Sequence, residues 1–165
     1  MPVSARTTDR FMSIAIYIGI GVFILWVGSK LINYCLEVRF YKDFLLEWEV
    51  SAQSFKSDGG IWPQFSEGDR VGYMEHLTQR MSKKGMSLPA SNAKRPFIYH
   101  INRLGHPKEE IFLLCLSHKI ILSGISEKTL MRIDKWIDGK VDSENGLFTG
   151  IHCNDGVTYV GEMRL

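Results

Sequence analysis

At 165 residues the chain has room for one membrane segment and one compact domain of about 100 to 130 residues. A formal charge of +2 gives no global pull toward nucleic acid. Outside its first apolar run the composition is that of an ordinary globular protein, which excludes a chain disordered throughout.

From Phe11 to Gly28 the sequence FMSIAIYIGIGVFILWVG carries no charge. As a helix rising 1.5 Å per residue it spans roughly 27 Å, most of a bilayer core, and Ser29 to Ile32 extend it. The run is too long for the apolar region of a signal peptide, and no small-x-small cleavage site follows it, so retention in the mature protein is expected. Arg6 and Arg10 flank its N-terminal side, and the short arm is expected to stay in the cytoplasm with the rest of the chain outside. Gly21 and Gly28 lie one heptad apart and share a face, with Gly19 nearby. Small residues let helices approach closely in lipid, and they are also common in any membrane helix.

No proline or glycine cluster follows the apolar run. The apolar residues thin instead to Leu31, Tyr34, Val38, Tyr41, Leu45, Trp48, Ala52 and Phe55, alternating steps of three and four that mark one helix face. Asp58-Gly59-Gly60 ends the pattern and Trp62-Pro63 bars a restart. The spacing predicts one helix of about 45 residues, on the order of 68 Å long, whose second half carries a small domain. The domain boundaries follow: a cytoplasmic arm 1–10, a transmembrane half 11–32, and an extracytoplasmic α+β domain 33–165 that includes the amphipathic half of the helix.

Past a loop at 62–70, Val71, Met74, Leu77 and Met81 predict a helix over 71–84 closed by Gly85. Residues 86–96 read as loop. Strands are expected at 97–104, 110–117 and 120–123, turning at Gly105-His106-Pro107 and at His118-Lys119. Ser126 caps a further helix with Leu130, Ile133, Trp136 and Ile137 toward the sheet, and Gly139 ends it. Strands at 147–152 and 157–163 flank Asn154-Asp155-Gly156, a hairpin signal. The fold class is α+β: a long N-terminal helix packed on a small antiparallel sheet.

Catalytic spacing is absent from the sequence. None of His76, His100, His106, His118 and His152 forms HExxH or pairs with another at helical spacing. Cys115, within IFLLCLS, reads as a buried inert thiol rather than a nucleophile. Cys35 lies just past the membrane run. Cys115 and Cys153 leave two readings open, a disulfide in an oxidising compartment or two small buried residues. Gly59-Gly60 ends a helix instead of opening one, so no phosphate loop and no cofactor are expected. The basic pairs Lys83-Lys84 and Lys94-Arg95 lack the aromatic interleaving of a nucleic-acid surface. Asp134, Asp138, Asp142, Glu144 and Asn145 crowd around Gly139 and Gly146. Hard oxygen donors on a turn suit calcium, but Lys140 stands where an EF-hand ligand belongs, so a metal at this loop is left open against a plain charged turn.

These parts, in this order, resemble the type IV pilin and type II secretion pseudopilin superfamily. The helix Phe11–Phe55 opening on Phe11-Met12, the exit Ser57-Asp58-Gly59-Gly60-Ile61-Trp62-Pro63, and the stretch from Ile133-Asp134-Lys135-Trp136-Ile137-Asp138-Gly139 to Gly146-Leu147-Phe148-Thr149-Gly150 carry the likeness. Residues 64–125 match nothing in it. Two positions depart from the family pattern: Arg10 stands where a leader ends in Gly or Ala, and Ala15 where the fifth mature residue is Glu. The resemblance implies a non-catalytic, membrane-anchored assembly subunit of a secretion or pilus system. It further implies a bacterial inner membrane, a periplasmic head, and other membrane-helix subunits as partners. A single-pass anchored sensory or adaptor domain is the second expectation and a membrane-tethered enzyme the third.

Overall fold

A computed structural model of the chain describes residues 3–66, 68–142, 144–153 and 158–165, of which 3–9 are described by backbone alone. Two compact units divide the chain, Met1–Cys35 and Leu36–Leu165.

The first unit is helical. Helix α1, Val3–Arg39, begins ahead of the apolar run, so helical backbone also covers most of the arm expected at 1–10. From Arg10 to Ser57 the chain is helical over 48 residues, long and apolar enough to cross a membrane. The side chains that make it apolar, among them Phe11, Ile18, Phe23 and Leu25, are exposed.

The second unit opens on the last turn of α1 and passes through a π-helical turn, Phe40–Leu45, into α2, Leu46–Ser57. The π turn closes with the Leu46 N–H on the Tyr41 carbonyl, one residue wider than an α turn. That extra residue moves the buried face. Ahead of and within the turn the buried positions are Glu37, Phe40 and Phe44; from its last residue onward they are Leu45, Trp48, Ala52 and Phe55. The expected stripe is therefore correct from Leu45 on and one residue out before it. Tyr34 is exposed, and Val38 and Tyr41 are half-buried. An α-helix advances about 100° per residue, so a single inserted residue re-aims the face by that angle.

Five strands form one antiparallel sheet in the order β1-β2-β3-β5-β4. They are β1 Ile98–Ile101, β2 Glu109–Cys115, β3 Lys119–Ile125, β4 Phe148–His152 and β5 Tyr159–Arg164. β1 is shorter than expected, because the chain leaves the sheet after Ile101 and turns Arg103 into the interior. β3 runs past its expected end through a bulge at Gly124, whose φ of 82° and whose close approach to the Glu110 carbonyl both demand glycine. β4 and β5 pair as expected from Phe148↔Met163 to His152↔Tyr159, while the Asn154-Asp155-Gly156 turn itself lies outside the described residues.

The π turn lies against β1, with the Phe40 and Phe44 rings 5.3 and 5.0 Å from that of Tyr99. Trp48 is fully buried and its indole N–H donates to the Pro96 carbonyl at 3.1 Å, pinning the loop that enters the sheet. Helix α3, Arg70–Lys83, is capped by Asp69 on the Gly72 N–H at 2.8 Å and buries Met74, Leu77 and Met81 against β2, as its sequence periodicity predicts. Helix α4, Glu127–Asp138, starts at its Ser126 cap and ends at left-handed Gly139, both as expected. It lies over β4 and β5, and a Cβ at Gly150 would strike the Leu130 side chain. Trp136 does not enter the core; its ring meets Tyr41 at 5.0 Å and ties α4 to the long helix.

Candidate functional site

The sheet domain buries charge in two places. The larger cluster forms where the last turn of α1, the β1–β2 connection and the first turn of α4 converge. Arg103, just past β1, is 5% exposed and acts as its hub. Its Nε lies 2.7 Å from Glu37 Oε1, its Nη1 pairs with Glu109 Oε1, and its Nη2 donates to the Thr129 hydroxyl. Thr129 Oγ1 in turn donates to Glu109 Oε2 at 2.8 Å, and the Ser126 N–H reaches the same carboxylate at 3.3 Å. Glu37 is 1% exposed and receives two more cations from α4, Arg132 on Oε2 and Lys128 at 3.9 Å from Oε1. Both Glu37 oxygens and Arg103 Nε are held as ion pairs without the alignment of a hydrogen bond.

This arrangement is a clamp. It fastens the long helix to the sheet edge and to α4 through one guanidinium, and a planar five-donor fork suits that task better than an ammonium would. Its groups are engaged with one another, and Ser126 Oγ caps α4 by accepting the Thr129 N–H at 3.3 Å. A cavity of about 370 Å³ opens beside the clamp, lined by Arg103, His106, Lys108, Glu109, Gly124 and Lys128 among others.

The second place is the carboxylate loop flagged in the sequence. Asp134 is fully buried on α4 and its Oδ2 accepts the Asp142 N–H at 2.6 Å, while Oδ1 has no partner. Burial raises the Asp134 carboxyl above its ordinary value, and the neighbouring Asp138 adds to the rise. Asp138 is lowered, because its oxygens accept the Leu147 and Phe148 N–H groups at 2.9 and 3.0 Å. The proximity of the two carboxyls pushes their pKa values apart, raising Asp134 and lowering Asp138. Asp142 Oδ1 accepts the Glu144 and Asn145 N–H groups at 3.4 and 3.3 Å. The oxygens of Asp138 and Asp142 therefore turn toward backbone N–H groups, and among the described residues no group of three or more His, Cys, Asp or Glu is placed to hold a metal.

The remaining candidates are dispersed. His100 pairs with Glu110 across the β1–β2 register at 3.1 Å. His152 stacks edge-on against Tyr159, and His76, His106 and His118 are exposed. All three cysteines are free. Cys115 is fully buried, its thiol pushed up to about 12 by that burial, which fits the small-buried-residue reading and leaves the disulfide unformed. Sequence reasoning passed over Glu37, Arg103, Glu109 and Thr129. Only the cap at Ser126 was legible, because the rest lie on four separate elements and no spacing links them.

No family model, curated protein or solved structure matches this chain.

Proposed function

We propose that this chain is a non-catalytic, membrane-anchored assembly subunit of the pilin-like or pseudopilin-like kind. Its apolar helix packs beside those of other subunits in a bacterial inner membrane, and its head is presented on the periplasmic side. One observation carries the reading: the 48-residue helix from Arg10 to Ser57 exposes large apolar side chains in its first half and buries Phe40, Phe44, Leu45 and Trp48 in a small antiparallel domain in its second. Gly19, Gly21 and Gly28 add support, since small residues let a neighbouring helix approach closely in lipid. The clamp and the Asp134–Asp138 pair have their groups turned to one another and to backbone, as structural supports do.

Cross-linking in native membranes tests the proposal. In a Cys35→Ser background, Gly21→Cys and Gly28→Cys are expected to trap a second subunit through the glycine face, and Leu25→Cys to trap less. A chain that remains monomeric at every position contradicts the assembly role and favours a single-pass sensory or adaptor domain.

A further inference from the structure

The two edges of the sheet are finished differently. At β1 the Leu113 N–H donates to the Phe97 carbonyl, so Phe97, Tyr99 and Ile101 face β2, while Ile98 and His100 turn their backbone groups outward. All of those outward groups are taken by the chain just ahead of the strand. The Ile98 N–H donates to the Arg95 carbonyl at 3.1 Å, and the Ser91 hydroxyl donates to the Ile98 carbonyl. The Asn92 side-chain amide holds both the His100 N–H and the His100 carbonyl, at 2.8 and 2.7 Å. An edge sealed in this way offers nothing to an added strand.

The β4 edge is open. The Arg164 N–H donates to the Leu147 carbonyl and the Cys153 N–H to the Thr158 carbonyl, at 3.0 and 2.9 Å. The odd-numbered residues of β4 therefore face β5, and Phe148, Gly150 and His152 turn outward. Asp138 takes the Phe148 N–H, but among the described residues the N–H and C=O of Gly150 and His152 meet no partner. Phe148–His152 carries no acidic, Lys, Arg or Pro residue to discourage pairing. Ile151, on the face away from Leu130 and α4, is 74% exposed and ends a row that crosses the sheet through Phe112, Ser123 and Val160. Symmetry selects the strand that fits. A second β4, antiparallel and related by a two-fold axis at Ile151, sets each Gly150 against the other copy's His152. Every open N–H and C=O of those residues is then paired, and the Phe148 N–H stays with Asp138. Ile151 meets Ile151 of the second copy as a non-hydrogen-bonded pair, with Cα atoms about 4.5 Å apart. Each His152 ring lies opposite a glycine, which has no side chain to obstruct it.

We propose that β4 is an interface for a second copy of this chain, pairing antiparallel through Gly150 and His152 about Ile151 and joining two five-stranded sheets into one. Both outer edges of the joined sheet are sealed β1 strands, so pairing closes at two copies. This is a contact of head with head, and it does not depend on helix packing through the glycine face.

Disulfide mapping of the full chain in detergent, in a Cys35→Ser, Cys153→Ser background, tests it. Mild oxidation is expected to link Ile151→Cys chains into dimers. Thr149→Cys, whose Cα would lie roughly 14 Å from its copy, should yield about tenfold less. Adding His152→Pro removes the donor of half the inter-strand bonds at an edge position that tolerates proline. It is expected to bring the Ile151→Cys dimer down to the Thr149→Cys level while the melting midpoint stays with the parent's. No dimer at Ile151→Cys, or equal yields at both positions, overturns the interface. A dimer that His152→Pro leaves undiminished is a collision product and overturns strand pairing. Linkage only between Ile151→Cys and Thr149→Cys chains when the two are mixed moves the axis to Gly150 and overturns this register. Gly21→Cys cross-linking in membranes reports the glycine face separately: its failure beside an intact Ile151→Cys dimer overturns helix packing and supports the strand pair alone.

Discussion

The two buried charge sites solve one problem in opposite ways. At the clamp Arg103, Arg132 and Lys128 bring cationic side chains up to the Glu37 and Glu109 carboxylates in the same dry space. At the α4 terminus the carboxyls meet burial and backbone N–H groups. Burial instead raises the Asp134 carboxyl, and Asp138 is lowered by accepting two backbone N–H groups. The clamp joins elements far apart in sequence and sets where the long helix meets the sheet. The aspartate pair is local and shapes one loop. A buried charge that fixes tertiary register calls for a counter-charge from another element, whereas one that shapes a loop can draw on the nearest backbone.

The contrast can be broken most sharply at Arg103. Arg103→Ala leaves Glu37 and Glu109 buried without their shared partner and is expected to cost about 3–5 kcal/mol, read from denaturant unfolding of the full chain in detergent. A matched apolar replacement, Arg103→Met with Glu37→Leu and Glu109→Leu, is expected to recover most of that loss. If Arg103→Ala unfolds at the parental denaturant concentration, the hub has been misassigned.

Asp138→Ala should cost less, about 2 kcal/mol, since it strands the N–H groups of Leu147 and Phe148 at the start of β4. Amide exchange at those two positions should speed up while the clamp residues keep their protection.

Asp134 sharpens the comparison through pH. Its folded carboxyl titrates above the ordinary value of 3.8, so the folded state binds the extra proton. The stability this contributes is complete below 3.8 and is lost as pH rises through the folded value. Asp138 runs the other way: its contribution is present above 3.8 and is lost as pH falls through its lowered value. Asp134→Asn keeps an acceptor for the Asp142 N–H and should abolish the loss on the alkaline side while leaving the acid limb in place. Melting midpoints at stepped pH would show it, and an unchanged profile would mean that Asp134 is ionised in the fold.

Smallest of all is the half-exposed pair of Lys119 and Glu162 across β3 and β5, 2.9 Å apart. Lys119→Ala is expected to move stability by less than about 1 kcal/mol. A larger effect would show that partly exposed pairs matter more in this sheet than the comparison allows.

Local signals were readable in the sequence. The Ser126 cap, the Gly139 stop and the periodicity of α3 each depend on a few adjacent residues, and each stands where expected. The long helix was readable in extent but not in phase. Its upper half carries two overlapping stripes, Tyr34-Val38-Tyr41 and Glu37-Phe40-Phe44, and a charged Glu37 made the true one look worse. The π turn that reconciles Phe44 with Leu45 leaves no mark in composition. Arg103 was hidden for a different reason. Its neighbours Asn102 and Leu104 continue a strand-like alternation, and only the distant carboxylates of Glu37 and Glu109 explain why it turns inward.

The most direct test of the central claim, one helix that is membrane anchor and domain spine together, is amide hydrogen exchange on the full chain in a lipid bilayer. Slow exchange is expected without interruption from the apolar run through Ser29–Arg39 and the π turn to Phe55. A fast-exchanging window between Ser29 and Arg39 would contradict it, separating the anchor from the head as two independent pieces.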